Sequence, residues 1–127
     1  MKLEKVAFGF FLVLAMTLNF GFMIGEIDNP AHHNVYELFA VIVVNLAATI
    51  IKFGDRTQMG AVMLATSLVA DLQLISAAVV WGMAENVTGV GLSPMVMASV
   101  VSLASGAWLA NVVSVVLLIL ETVKLPR

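Results

Sequence analysis

One carboxylate stands in the middle of an apolar segment. Residues 65–82 read ATSLVADLQLISAAVVWG, and Asp71 lies near their centre. If this segment spans a membrane, an ionised Asp71 costs at least about 2.5–3.5 kcal/mol at that depth. No Lys, Arg or His is expected at the same level. Asp71 therefore either keeps its proton or faces water or a cation. An asparagine would provide structural hydrogen bonds at a lower cost, which favours a functional role for the carboxylate.

Further polar side chains are expected inside the membrane. Asn45 and Asn111 fall mid-way along their segments, Asn19 lies in an outer half, and Ser67 precedes Asp71 by one helical turn. These residues either line an ion pathway or join helices through hydrogen bonds of about 0.5–2 kcal/mol each. The hypothetical pathway consists of Asn19, Asn45, Ser67, Asp71, Gln73 and Asn111.

Acidic residues cluster where the chain is expected to leave the membrane on the outer side. The hypothetical outer vestibule, which would concentrate cations, consists of Glu26, Asp28 and Glu37. Glu37 also has capping-box spacing from Asn34, and a helix cap is the alternative interpretation. In the same loop, His32 and His33 suggest a weak metal or proton site.

The elements that must position these residues are four membrane spans. The chain has 127 residues, of which 61% are hydrophobic and 11% charged, whereas a soluble domain has about 25% charged residues. A spanning helix needs about 20 apolar residues. The sequence predicts one all-α domain, a bundle of four antiparallel transmembrane helices at residues 6–24, 35–51, 59–81 and 94–123.

Basic residues indicate the orientation of these spans. All six Lys and Arg residues fall on one side of a four-span topology: Lys2, Lys5, Lys52, Arg56, Lys124 and Arg127. Glu26, Asp28 and Glu85 fall on the other side. The positive-inside rule therefore predicts that both termini are cytoplasmic. We expect a multi-pass protein of a bacterial inner membrane, with the lipid bilayer as its surroundings.

Small and polar residues suggest how the helices pack. The third span has two polar or small faces, one with Ser67 and Asp71 and the other with Gln73. One face can contact the other three helices, and the second then needs another protein surface or water, which predicts a homo-oligomer. On the fourth span, small residues recur every four positions and allow close helix packing, either within or between protomers: Ala98, Ser102, Gly106, Ala110 and Ser114.

Several classes of function are excluded or disfavoured. The chain has no cysteine, so zinc–thiolate sites and iron–sulfur clusters are excluded. Its spans contain no histidine for haem, and it has no basic patch for nucleic acid. No nucleophile–base pair, phosphate loop or zinc motif is present. We therefore expect no cofactor, no metal and no enzymatic activity.

Three stretches of the sequence are distinctive: NFGFMIGEIDNPAHH, KFGDRTQMGA and SLVADLQL. With these stretches, the whole chain resembles an uncharacterised family of small bacterial four-helix inner-membrane proteins, a resemblance that implies no activity. Size and span number are also similar to those of small multidrug-resistance transporters and fluoride channels. However, Glu4 lies outside the membrane, so the first span lacks the carboxylate of those transporters, and the Gly-rich and phenylalanine motifs of the channels are absent.

Two functions remain open. The first is a homo-oligomeric cation or proton channel or transport protein, in which Asp71 is the intramembrane site. The second is a non-conducting accessory or assembly subunit, which packs against a larger membrane protein complex. The first needs water to reach Asp71, whereas the second needs a partner protein and no conduction.

Overall fold

The chain folds into four long α-helices. The computed structural model describes residues 3–86 and 91–124. The helices are α1 (Leu3–Met23), α2 (Val35–Lys52), α3 (Gln58–Asn86) and α4 (Pro94–Lys124), with a 3₁₀ turn at Pro30–His32. No strand occurs in these two ranges. The predicted all-α fold is confirmed, although α1 begins before residue 6 and α3 continues past residue 81.

Polar side chains at the first residues outside the helices explain where three of them begin. The Asn34 side chain accepts a hydrogen bond from the Tyr36 N–H at 2.8 Å. The Thr57 hydroxyl accepts one from the Gly60 N–H at 2.9 Å, and Ser93 caps α4, whose first residue is proline. Each cap satisfies an N–H group that has no partner within the helix.

The helices form a closed ring in which each packs against its two neighbours, α3 and α4 most extensively. Consecutive helices are antiparallel. At one end, Lys5 of α1 forms an ion pair of 2.9 Å with Glu121 near the end of α4. At the other end, the Glu37 carboxylate near the start of α2 lies beside Gly21 near the end of α1. Short connections force this arrangement.

Two apolar clusters fill the bundle. The cluster near the α1–α2 connection, here called the outer apolar layer, consists of Phe22, Leu38, Val41, Ala70, Leu74, Ala77, Met97, Val100, Val101, Ala104 and Ala107. The cluster near the opposite end contains Phe8, Leu12, Ala48 and Met63. Along α2, Asn45 lies between Val41 of the outer apolar layer and Ala48 of the second cluster, and Asp71 on α3 directly follows Ala70 of the outer apolar layer.

The outside of the bundle is rich in large hydrophobic side chains. Large hydrophobic side chains point outward on every helix, including Phe10, Val43, Leu72 and Leu109, each more than half exposed. All four helices are long and apolar enough to cross a membrane. This chain is therefore a multi-pass membrane protein. The orientation stays a prediction, and two of its six basic residues, Lys2 and Arg127, lie outside the described residues.

Candidate functional site

Asp71 is buried inside the bundle and accepts hydrogen bonds with both carboxylate oxygens. Its side chain is 6% exposed. The Asn45 side-chain amide donates to Oδ1 at 2.6 Å, and the Thr49 hydroxyl donates to Oδ2 at 2.6 Å. Both donors lie on α2, one helical turn apart on the same face. The carboxylate is thus held by an amide and a hydroxyl rather than by a basic side chain.

Asn45 extends this contact across the centre of the bundle. Its amide oxygen accepts a hydrogen bond of 2.7 Å from the side-chain amide of Asn111 on α4. Its amide nitrogen also lies 3.4 Å from the carbonyl of Ser67. The resulting Asp71 cluster, which consists of Asn45, Thr49, Ser67, Asp71 and Asn111, joins α2, α3 and α4 in the middle of their lengths.

The Thr49 hydroxyl has two acceptors for one hydrogen. It lies 2.6 Å from Asp71 Oδ2 and 3.0 Å from the carbonyl of Asn45. If Asp71 is ionised, the hydroxyl donates to the carboxylate. If Asp71 is protonated, its O–H donates to Thr49, and Thr49 donates to the Asn45 carbonyl. Rotation of the Thr49 hydroxyl hydrogen therefore adapts the site to either protonation state of Asp71.

Two further oxygens of the cluster are buried without a partner. Among the described residues, neither Ser67 Oγ nor the amide oxygen of Asn111 takes part in a hydrogen bond. Buried polar atoms without protein partners are the places where internal water binds. Both oxygens can therefore accept a hydrogen bond from water or a hydrated proton that reaches the cluster.

Polar groups continue from the cluster towards the end of the bundle that carries the basic residues. Lys52 lies one turn beyond Thr49 and is 2% exposed. Its ammonium lies 4.2 Å from the centre of the Phe8 ring and 3.3 Å from the Asp55 carboxylate. Burial raises the pKa of Asp55. Hydrogen bonds from Thr57, together with the hydrogen bond and positive charge of Lys52, outweigh this effect and hold the pKa below its ordinary value.

Towards the other end, apolar residues close the bundle. Val41, Leu74 and Ala107 lie about one turn outward of Asn45, Asp71 and Asn111, and all three are fully buried in the outer apolar layer. The vestibule residues lie beyond that layer: Glu26 and Asp28 are exposed in the loop, and Glu37 rests against Gly21. Their connection to Asp71 would need the layer to open and stays a prediction.

Two of the predicted pathway residues lie outside the Asp71 cluster. The Asn19 side chain donates to the carbonyl of Ala104 on α4 at 2.9 Å, which is a helix-joining role. Gln73 lies over Gly106, where an added Cβ would come within 2.5 Å of the Gln73 side-chain oxygen. Gln73 faces α4 and Asp71 faces α2, as expected for residues about 200° apart around α3.

The small residues of α4 pack partly within the protomer. Gly106 receives Gln73, and Ser114 is hydrogen-bonded to Thr66, both from α3. Ala98 and Ala110 are half-buried, whereas Ser102 is exposed. The second polar face of α3 is thus covered by α4 of the same chain. That face therefore has a partner within the chain, and the homo-oligomer stays a prediction.

A comparison with protein families matches residues 32–122, which include the whole Asp71 cluster, to a family of unknown function. The chain belongs to DUF6394. The match covers α2 and α3 completely and most of α4, whereas α1 with Asn19 lies outside it. No curated protein and no solved structure matches the chain.

In this DUF6394 chain, three buried polar residues escaped the sequence analysis of the site. Thr49 contacts Asp71 directly, and its position four residues after Asn45 was the signal that could have identified it. Lys52 was considered only as a sign of orientation, yet it is buried. Glu121, also buried, pairs with Lys5 near the end of α4. Nothing in their sequence spacing indicated either of these last two contacts.

Proposed function

We propose that this protein moves protons across a bacterial inner membrane and that Asp71 is the group that takes up and releases them. The observation that carries the proposal is the contact between Asp71 and Thr49. One hydroxyl can serve both the ionised and the protonated carboxyl without any movement of heavy atoms. A purely structural polar group needs to satisfy only one protonation state.

A proton suits this site better than a metal cation. Sodium or potassium needs several oxygen ligands in place of its hydration shell. Here hydrogen-bond donors, the amide of Asn45 and the hydroxyl of Thr49, occupy both oxygens of Asp71. Among the described residues, no group of three or more His, Asp or Glu side chains converges on a metal position. A proton needs only the carboxyl itself.

The two ends of the bundle support alternating access rather than an open pore. Thr49 and the buried Lys52 lead from Asp71 towards the end that the positive-inside rule places in the cytoplasm. Val41, Leu74 and Ala107 separate Asp71 from the other end. Transport then requires a second conformation in which the outer apolar layer parts. A homo-oligomer, supported by the half-exposed part of the α4 small-residue stripe, provides surfaces against which helices can shift.

The experiment is proton flux in proteoliposomes under a pH gradient and a membrane potential. Wild-type protein should carry protons, and Asp71→Asn should abolish the flux while it assembles normally. Glu85→Gln is the matched control, because it removes an exposed carboxylate at the end of α3 that belongs neither to the vestibule nor to the Asp71 cluster. Flux that persists in Asp71→Asn would contradict the role of Asp71.

A second candidate function is an accessory subunit of a larger membrane complex. It is favoured by one observation, namely that both oxygens of the Asp71 carboxylate accept a hydrogen bond within one protomer. Buried polar clusters can serve to specify how helices pack. If wild-type protein carries no protons under any gradient and Asp71→Asn assembles normally, this function replaces proton transport.

A further inference from the structure

The loop between α1 and α2 is held by two adjacent histidines with different hydrogen-bond partners. His33 is 4% exposed. Its Nδ1 lies 2.7 Å from the carbonyl oxygen of Phe22, and its Nε2 lies 2.7 Å from the carbonyl oxygen of Glu26. His32 instead accepts a hydrogen bond at Nδ1 from the Glu26 N–H at 2.8 Å.

These partners dictate how many protons each ring carries. A carbonyl oxygen can only accept, so both ring nitrogens of His33 must donate, which only the imidazolium can do. An N–H group can only donate, so Nδ1 of His32 must be unprotonated, and its ring is neutral. The hydrogen-bond partners therefore require a charged His33 ring and a neutral His32 ring, although the ring centres are only 6.4 Å apart.

The charged groups at this end of the bundle favour a positive charge on His33. The titratable groups are His32 and the carboxylates of Glu26 and Asp28 in the loop, Tyr36 and Glu37 in the first turn of α2, and Glu85 in the last turn of α3. The sequence places no Lys or Arg between residues 6 and 51 or between residues 57 and 123. A buried imidazolium thus has carboxylates and no Lys or Arg at its end of the bundle.

We propose that His33 is a proton-binding clasp, closed when the ring is charged, that ties the end of α1 to the start of α2. A neutral His33 can donate to only one of the two carbonyls, and its other nitrogen then faces an oxygen lone pair at 2.7 Å. Loss of the proton therefore releases either Phe22 or Glu26. Since the Phe22 side chain belongs to the outer apolar layer, loss of the hydrogen bond to its carbonyl loosens the packing of that layer. The clasp does not depend on any role of Asp71.

Nuclear magnetic resonance of ring-labelled histidines tests this directly, because the chain contains only two. In wild-type protein in lipid, His33 should show two protonated ring nitrogens at a pH at which His32 shows one. The variants His32→Gln and His33→Gln each remove one set of signals and assign the other. The proposal is overturned if His33 in the folded protein keeps one unprotonated nitrogen at every pH, or if both rings titrate together.

Thermal unfolding in detergent gives a second measurement. The unfolding temperature should fall between about pH 5 and about pH 8, the range in which imidazoles titrate, because the closed clasp needs the proton. The fall should persist in His32→Gln and disappear in His33→Gln. A fall of the same size in His33→Gln would assign the pH dependence to other groups and overturn the proposal.

Discussion

The Asp71 carboxylate lies 2.6 Å from the Thr49 hydroxyl on the neighbouring helix, and both side chains are buried. This contact joins the last turn of α2 to the middle of α3. Because the hydroxyl has a second acceptor in its own helix, the carbonyl of Asn45, the pair can accommodate a proton on Asp71 or its absence.

Thr49→Val tests the hydroxyl. Valine keeps the shape of threonine but leaves Asp71 Oδ2 without a donor, which should cost roughly 1–3 kcal/mol of stability and strongly reduce proton flux. Thr49→Ser restores the hydroxyl and is the matched control. Both variants are compared by thermal unfolding in detergent and by flux in proteoliposomes. If valine and serine give the same flux, the hydroxyl has no part in proton transfer.

Gly106→Leu tests the packing of α3 on α4. The new side chain would occupy the place of the Gln73 amide, so we expect a lower unfolding temperature. Gly82→Leu is the control, since a Cβ added there meets, among the described residues, no side chain and no other part of the bundle within 4 Å. Adding Gln73→Ala to Gly106→Leu should recover part of the lost stability. If Gly106→Leu changes only the oligomer size, the glycine packs between protomers instead.

The ion pair between the buried Lys52 and the partly buried Asp55 makes stability depend on pH. The pKa of Asp55 is lowered in the folded protein, so its contribution is fully present above the ordinary pKa of about 3.9. It is lost as the pH falls through the lower folded value. Asp55→Asn should therefore unfold at a lower temperature than wild type at neutral pH. The difference should shrink in strong acid, and a difference that grows there would contradict this account.

The membrane orientation can be tested with reporter fusions. Fusions at Gly54 and at the C-terminus should report a cytoplasmic location, and a fusion at Gly89 should report the opposite side, because the Lys and Arg residues favour the cytoplasm. A C-terminus on the outer side would contradict the prediction that the end of the bundle with Lys52 and the other basic residues faces the cytoplasm.

The sequence predicted the helices better than the contacts between them. Long apolar segments and polar turns are sufficient to place four spans. The mutual rotation of the helices is decided by packing, so the meeting of Asn45 with Asp71 and Asn111 could not be derived from spacing alone. The same reason explains why α3 was expected to need a second protomer, whereas α4 covers its second polar face. The burial of Lys52 was not anticipated because basic residues at span ends usually extend to the interface.

Infrared spectroscopy of the protein in lipid tests most directly whether Asp71 exchanges a proton. The carbonyl stretch of a protonated carboxyl is distinct from the bands of a carboxylate. We predict that, over the pH range in which the protein stays folded, one such carbonyl band appears and disappears with pH in wild type and is absent from Asp71→Asn. A band assigned to Asp71 that stays constant over the whole range, or no such band at any pH, would contradict proton uptake and release at this residue.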